Sequence, residues 1–285
     1  MVGGTLSPLR NATAIPWSGT GPDPAECKYN IDYRIDGRLH LAQSNMKSKT
    51  LLKLLVNAGA GSRRQIAEAI IGGSVQVNGE VIESLSHPVD VTRDIVTLNG
   101  EKVDLKLEPR VYLMLNKPAD TISTTKDDRG RRTAIDMLPP KYHHLNLHPV
   151  GRLDRNSTGL LLLTNDGEFT YRLTHPKFKH EKEYLVFIEG RLQPHEEKKL
   201  REGIQLEGGM THPAVIKEVK AFPPFNYSII IHEGRKRQVR RMFEKLGHSV
   251  VALKRVRIGS LSMGNLEEGQ VRELSLQEVR ILLQC

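Results

Sequence analysis

The chain has 285 residues, of which 38% are hydrophobic and 5% aromatic, enough for about two domains with folded cores. No stretch approaches the roughly 18 consecutive apolar residues of a membrane-spanning helix, so no membrane partner is expected. Lys and Arg number 42 against 33 Asp and Glu, a net charge of +9, which favours polyanionic partners, nucleic acid first; a merely soluble basic protein carries the same charge. Only Cys27 and Cys285 are present, which excludes a disulfide framework or a Cys-rich zinc site and suits a reducing, cytoplasmic setting.

Residues 1–46 carry Gly3, Gly4, Pro8, Pro16, Gly19, Gly21, Pro22 and Pro24 and show neither helical nor strand period. They match neither a secretory signal nor an Arg-rich transit peptide. The expectation is a disordered or spurious extension, with Met46 as the native start. Residues 47–107 read as a first domain. From Thr50, the residues Leu51, Leu52, Leu54, Leu55 and Val56 form one broad helical face closed by Gly59 and Gly61. Ser62 is placed to cap a second helix, with Gln65 at the reciprocal position, Ile66, Ala69 and Ile70 as its apolar stripe, and Gly72-Gly73 as its stop. Val75 to Val77, Asn78-Gly79 and Val81-Ile82 spell a hairpin, because both turn residues tolerate positive φ. Ile95 to Leu98 followed by Asn99-Gly100 repeats the pattern. The result is a compact α+β module. Arg63 and Arg64 sit in the first turn of its second helix, either as a solvated helix end or as a phosphate grip made with the helix amides.

The run Leu54 to Arg64 and the segment Gly73 to Gly79 resemble the small RNA-binding domain named after small-subunit ribosomal protein four, the S4 domain. Thr50-Leu51-Leu52 stands where that family usually has Arg-Leu-Asp.

A charged, apolar-poor stretch around Lys106 to Arg110 reads as the linker to a second domain, residues 108–285. Val111 to Leu115 is predicted as a strand, broken at Asn116-Lys117-Pro118. A mixed-charge loop follows over Thr121 to Thr133, with Lys126, Arg129, Arg131 and Arg132 beside Asp127 and Asp128. Ala134 to Leu138 is read as a helical turn. From Tyr142 onward, short strands alternate with helices, which points to a mixed sheet with helices on it and not a doubly wound one.

The segment Gly151-Arg152-Leu153-Asp154-Arg155-Asn156-Ser157-Thr158-Gly159 runs into Leu160 to Leu163, an apolar run of strand length closed by Asn165-Asp166-Gly167. Asp154 thus lies in a tight polar loop between Arg152 and Arg155. On residue types alone this is also how a surface ion pair looks. Between His232 and Arg257 nine basic residues (235, 236, 237, 240, 241, 245, 254, 255, 257) face two acids (233, 244), a density that can neutralise several phosphates and make binding strongly salt-dependent. Gly234 precedes a helix predicted to begin near Lys236, with Val239, Met242, Phe243 and Leu246 as its buried stripe.

Taken together, Gly151-Arg152-Leu153-Asp154, Ser157 to Leu161, Asn165-Asp166-Gly167, Arg172-Leu173-Thr174-His175-Pro176 and Glu181-Lys182-Glu183-Tyr184 resemble the signature of the pseudouridine synthases that modify ribosomal RNA. The branch in question joins an S4-like domain to the catalytic domain. The resemblance implies an α+β protein whose catalytic domain is a mixed, mainly antiparallel sheet with flanking helices. It places Asp154 on the catalytic carboxylate, Arg240 on the basic residue that pairs with it, and Tyr184 on the aromatic wall for an extruded base, with a second duty as proton acceptor. Arg63, Arg64, Arg152, Arg235, Lys236, Arg237 and Arg241 are the expected RNA contacts.

The implied reaction breaks the N–C glycosidic bond of uridine, turns the base over and rejoins it through carbon. It needs no cofactor and no metal, and the sequence carries neither a Gly-rich phosphate loop with Lys nor His pairs at metal spacing. His143, His144 and His148 are read as surface or structural residues. The expected partner is ribosomal RNA, free or in pre-ribosomal particles, with the protein a monomer. The wording of Glu233 to Phe243 is closer to large-subunit (23S) members than to small-subunit (16S) ones. The competing readings are a non-catalytic RNA-binding or ribosome-assembly protein and a nucleoside or glycoside hydrolase. A phosphate binder has no need of a loop carboxylate, and a hydrolase needs a second carboxylate, for which Asp166 is the nearest candidate.

Overall fold

The structure is a computed structural model that describes residues 49–105 and 109–284. The expected extension 1–46, the Met46 start, Cys27, Cys285 and residues 106–108 of the linker lie outside the described residues.

In the first domain, α1 (Leu51–Asn57) buries Leu51, Leu52, Leu54 and Leu55, and α2 (Arg63–Ile71) packs Ile66 and Ile70 against them. The predicted capping box forms: Ser62 Oγ accepts from Gln65 N at 3.3 Å, and Gln65 Oε1 accepts from Ser62 N at 3.0 Å. Strands β1 (Val75–Val77), β2 (Glu80–Val81), β3 (Val96–Leu98) and β4 (Glu101–Lys102) make an antiparallel sheet in the order β2-β1-β3-β4. Asn78 and Gly79, at φ 54° and 88°, close the first hairpin.

The second domain is built on one sheet. Its main path is β8 (Val215–Glu218), β9 (Tyr227–Ile231), β7 (Lys182–Ile188), β10 (Val250–Ile258), β6 (Thr158–Thr164), β5 (Tyr112–Lys117) and β11 (Val271–Glu273). Neighbours are antiparallel except β6 and β10, so the sheet is mixed and mainly antiparallel. Both faces are covered. Leu113, Leu115, Leu161 and Leu163 share a core with α4 (Pro194–Glu202) and α5 (Gln238–Glu244). Tyr112, Met114, Leu160 and Leu162 pack with α3 (Gly167–Thr174) and α6 (Leu276–Leu283). Successive strand residues point to opposite faces, so a strand buried on both reads as an unbroken apolar run. That is why Leu160 to Leu163 could be recognised.

Three expectations need correction. Asn116 and Lys117 do not break the strand but end it, both fully buried; the Asn116 amide nitrogen donates to Gln270 O, and Asn116 O accepts from Gly269 N. Ala134 to Leu138 forms no helical segment. Thr133 and Asp136 exchange side-chain and backbone hydrogen bonds that set a local turn before Pro139. Finally, α5 starts at Gln238 and not near Lys236, because Arg237 adopts the left-handed conformation at φ 52° and ends the approach to the helix.

Candidate active site

The loop carrying Asp154 is pinned at four consecutive residues. Leu153 exchanges two hydrogen bonds with the Ser123 hydroxyl, at 3.1 and 3.0 Å. Asp154 O accepts from Ser157 N at 3.0 Å. Arg155 O accepts from Lys117 Nζ at 3.1 Å, and Asn156 O from Arg240 Nη2 at 3.4 Å. The backbone is held on both sides of residue 154, whereas its carboxylate makes no hydrogen bond or ion pair among the described residues. The half-buried Asp154 opens into a cavity of about 730 Å3 that is also lined by Tyr184, Lys182, Arg255, Arg152, Lys236 and Arg237. Tyr184, 8% exposed, belongs to the core and presents to this cavity.

Lys117 is the buried centre of that support. It is fully enclosed, and its ammonium donates to three carbonyls: Pro118 and Thr121 at 2.8 Å each, and Arg155. Burial lowers its pKa to about 8, against the pull of Glu268, Asp154 and Asp120. A Lys-Pro pair after an apolar run marks the end of a strand, as it does here; the sequence does not show that the ammonium gathers Pro118 O and Thr121 O together with Arg155 O, 38 positions away.

Arg240 and Asp154 do not form the ion pair expected of them. Arg240, 7% exposed, donates to Val250 O at 2.6 Å and to Asn156 O. Burial and the neighbouring Arg237 lower its pKa, while the Asp154 charge opposes them. Arg240 therefore holds the loop and sets the local potential without contacting the carboxylate. Arg155 turns away as well, to Asp120.

The basic cluster divides. Lys236 and Arg237 are exposed at the cavity, with Arg237 3.6 Å from Glu244. Arg235, which also lines the cavity, and Arg241 are both tied to the 205–210 turn. Arg235 donates to Gly209 O at 2.7 Å, to Met210 O at 2.6 Å and to Glu233 at 3.0 Å. Arg241 donates to Glu207 O at 3.1 Å. Their guanidinium groups tie down the 205–210 turn, a partner that nothing in the sequence places beside them. Arg152 is exposed at the cavity mouth. Arg63 and Arg64 are exposed on α2 of the first domain, and Arg64 pairs with Glu68 at 3.0 Å.

Asp166 is not a second catalytic acid. It caps α3 through the Glu168 and Phe169 amides and accepts from Arg110 at 2.7 Å and Tyr112 at 2.8 Å. His143 and His148 bond Leu138 O and Thr170 Oγ1, as structural residues do.

Lys182 resembles Lys117 in one respect: burial, with the nearby Arg255, pushes its pKa down to about 8. A lysine whose pKa falls on folding from 10.5 to about 8 binds fewer protons folded than unfolded between those values. The stability that its burial withholds at neutral pH is therefore regained as pH rises through that window. The urea midpoint is expected to rise from about pH 7.5 to 9.5, and to rise less in Lys182→Met; a flat or falling profile would contradict the burial of these two ammonium groups.

The chain is similar to known proteins along most of its length. Residues 111–245 match the RNA pseudouridylate synthase family, and residues 49–96 match the S4 domain. The chain is 45% identical over 237 residues to the ribosomal large subunit pseudouridine synthase B of Bacillus subtilis (strain 168), covering 81% of this chain and 94% of that protein. It is 39% identical over 236 residues to an uncharacterised RNA pseudouridine synthase of Aquifex aeolicus (strain VF5), covering 82% and 93%. A crystal structure of a pseudouridylate synthase superposes with a TM-score of 0.59 at 34% identity, covering 82% of this chain and 99% of that one. With an S4 domain ahead of a synthase domain, and with identity sustained along most of both chains, the protein belongs to the family of RNA pseudouridine synthases, which are isomerases.

Proposed function

We propose that the protein converts a specific uridine of large-subunit ribosomal RNA to pseudouridine, with Asp154 as the catalytic carboxylate acting on a flipped-out base. The observation that carries this reading is the unpaired Asp154 carboxylate on a loop immobilised at residues 153–156, in one cavity with Tyr184. Fixing the backbone while leaving the anion free is the preorganisation that nucleophilic or electrostatic catalysis requires. In the reaction the N1–C1′ bond breaks, the uracil turns, a C5–C1′ bond forms, the C5 proton leaves and N1 takes up a proton. Atoms are conserved and no group is donated. The base must first leave the stack, at a cost of a few kcal/mol. Tyr184 supplies a face for it, while Arg152, Lys236, Arg237 and the α2 residues Arg63 and Arg64 grip phosphates. On this reading the protein works in the cytoplasm as a monomer, on free ribosomal RNA or on pre-ribosomal particles.

The large-subunit assignment follows the similarity to the Bacillus subtilis protein, which is named for that subunit. Unmodified 23S and 16S transcripts incubated with the protein, then mapped for pseudouridine by derivatisation and reverse transcription, provide the test. Conversion at a discrete position of the 23S transcript is expected. Conversion confined to 16S RNA would overturn the subunit assignment, and conversion of neither would overturn the proposed substrate.

Lys117→Met removes the donor shared by three carbonyls and releases Arg155 O. Each abandoned buried acceptor costs about 1–3 kcal/mol, offset in part by loss of the buried charge. A loop displaced by about 1 Å costs on the order of 100-fold in turnover. Single-turnover rates at saturating RNA check this; an unchanged rate would remove Lys117 from the account.

A further inference from the structure

On β10 a bulge decides which arginine shares a face with Tyr184. The register runs Lys182↔Ile258, Glu183↔Arg257 and then Tyr184↔Arg255, passing over Val256. An inserted residue re-aims the side chains that follow it. Arg257 goes with Glu183, which it meets at 2.8 Å, and with Glu181 at 3.1 Å. Arg255 lies opposite Tyr184 and lines the cavity, as does Lys182, two residues from Tyr184 on the same strand face.

The buried Arg255 and the half-buried Lys182 are neighbouring cations, and among the described residues neither has a carboxylate partner. Arg255, 3% exposed, donates from Nε to Leu160 O at 2.7 Å, but its Nη2 is enclosed with no hydrogen-bond partner. Among the described residues, Lys182 Nζ hydrogen-bonds only to the carbonyl of His180, at 3.3 Å. His180, 5% exposed and also lining the cavity, has an unpartnered buried Nδ1. Burying an unpaired charge is costly, and leaving a buried donor unsatisfied adds to the cost. Arg257, two residues from Arg255, shows the same chain supplying carboxylates where a cation is only structural. Here the complement is missing from the protein and belongs to what enters the cavity.

We propose that Lys182 and Arg255, with His180 beside them, form an oxyanion pocket that holds the phosphodiester attached to the flipped nucleotide. The cavity then has two functions: Asp154 and Tyr184 meet the base and sugar, and this cation pair fixes the backbone of the same nucleotide. A diester offers two charged oxygens, one for the Arg255 guanidinium and one for the Lys182 ammonium, both of which line the cavity. The lowered pKa of Lys182, set by burial and Arg255, is the behaviour of an ammonium lacking its anion. The source of the phosphate, substrate RNA, rests on the function proposed above; the pocket itself does not.

Two measurements test it, on wild type, Lys182→Met, Lys182→Arg and, as a charge control on exposed α4, Lys198→Met. The first is melting temperature in inorganic phosphate against chloride at equal ionic strength. Phosphate is expected to raise the wild-type Tm by a few degrees through binding to the folded state, to do the same for Lys182→Arg and Lys198→Met, and to do nothing for Lys182→Met. In chloride, Lys182→Met is expected to melt at or above wild type, because a partly desolvated charge with no carboxylate partner has gone. A fall would mark a merely structural lysine and count against the pocket. The second uses a short RNA holding the uridine that the wild type converts, with ordinary or neutral methylphosphonate linkages flanking it. The neutral linkage should weaken wild-type binding about tenfold and Lys182→Met no further. Equal losses in both proteins, or an adventitious phosphate effect that survives Lys182→Met, overturn the proposal. If the wild type converts no uridine while phosphate still stabilises through Lys182, the pocket stands and the functional reading falls.

Discussion

Gly159→Ala is expected to be among the most destabilising single substitutions in the protein, although it adds a single methyl group. Gly159 lies where β6 and β10 run parallel, paired with Arg255. A Cβ at this position would sit 2.2 Å from Arg255 O and 2.8 Å from Arg255 N. Both are backbone atoms of a central strand, which no rotamer change can move aside. The residue is also at φ 99°, where an L side chain is strained. Overlap of this kind belongs with the most destabilising single changes, on the order of 4 kcal/mol or more, against a total stability of about 5–15 kcal/mol. In a domain of this size that corresponds to a Tm loss of at least about 10 °C. Gly190→Ala is the control: φ is 78°, yet nothing lies within 4 Å of the added carbon, so strain alone is expected, about 1 kcal/mol. Equal losses for the two variants would contradict the close-approach explanation. The same contact explains why a glycine follows Ser157-Thr158: it lets the Asp154 loop enter the sheet directly beside the strand that carries Arg255.

The first domain was legible because its signals are local. A Ser with Gln three residues later, glycines past each helix and Asn-Gly between apolar pairs act within a few residues, and each formed as read. In the second domain the apolar run at 160–163 gave a strand covered on both faces. Asp154 and Tyr184 came from a resemblance and share one cavity. What stayed hidden depends on partners far apart in the chain. Lys117 looks like a strand breaker because Arg155 O, 38 positions away, joins its local acceptors at 118 and 121 only after folding. Arg235 and Arg241 gave no sign of their hold on the 205–210 turn, because the carbonyls they bind there are some 25 to 35 positions away. Arg255 was counted only as one more positive charge, since the bulge at Val256 that turns it inward leaves no mark in composition or period. Lys182 did carry a signal: strand alternation sets it on the same face as Tyr184.

The support around residue 154 makes a sharp demand on its carboxylate. Ser123, Ser157, Lys117 and Arg240 bind the backbone of the loop, and none of them hydrogen-bonds to the Asp154 carboxylate. Asp154→Asn therefore keeps shape and backbone bonds while removing only the anion. Folding should be unaffected, with Tm within about 2 °C of wild type, the range of substitutions that break no contact. RNA affinity should hold or improve slightly, because a negative charge near phosphates has gone. Turnover should fall on the order of 10,000-fold, as it does when an essential group of a catalytic unit is deleted.

The most direct measurement is single-turnover pseudouridine formation by Asp154→Asn at RNA concentrations that saturate both proteins, with the dissociation constant determined in parallel. Loss of product with retained binding is the predicted result. A rate within about tenfold of wild type, or a loss explained wholly by weaker binding, would contradict a catalytic carboxylate at this position.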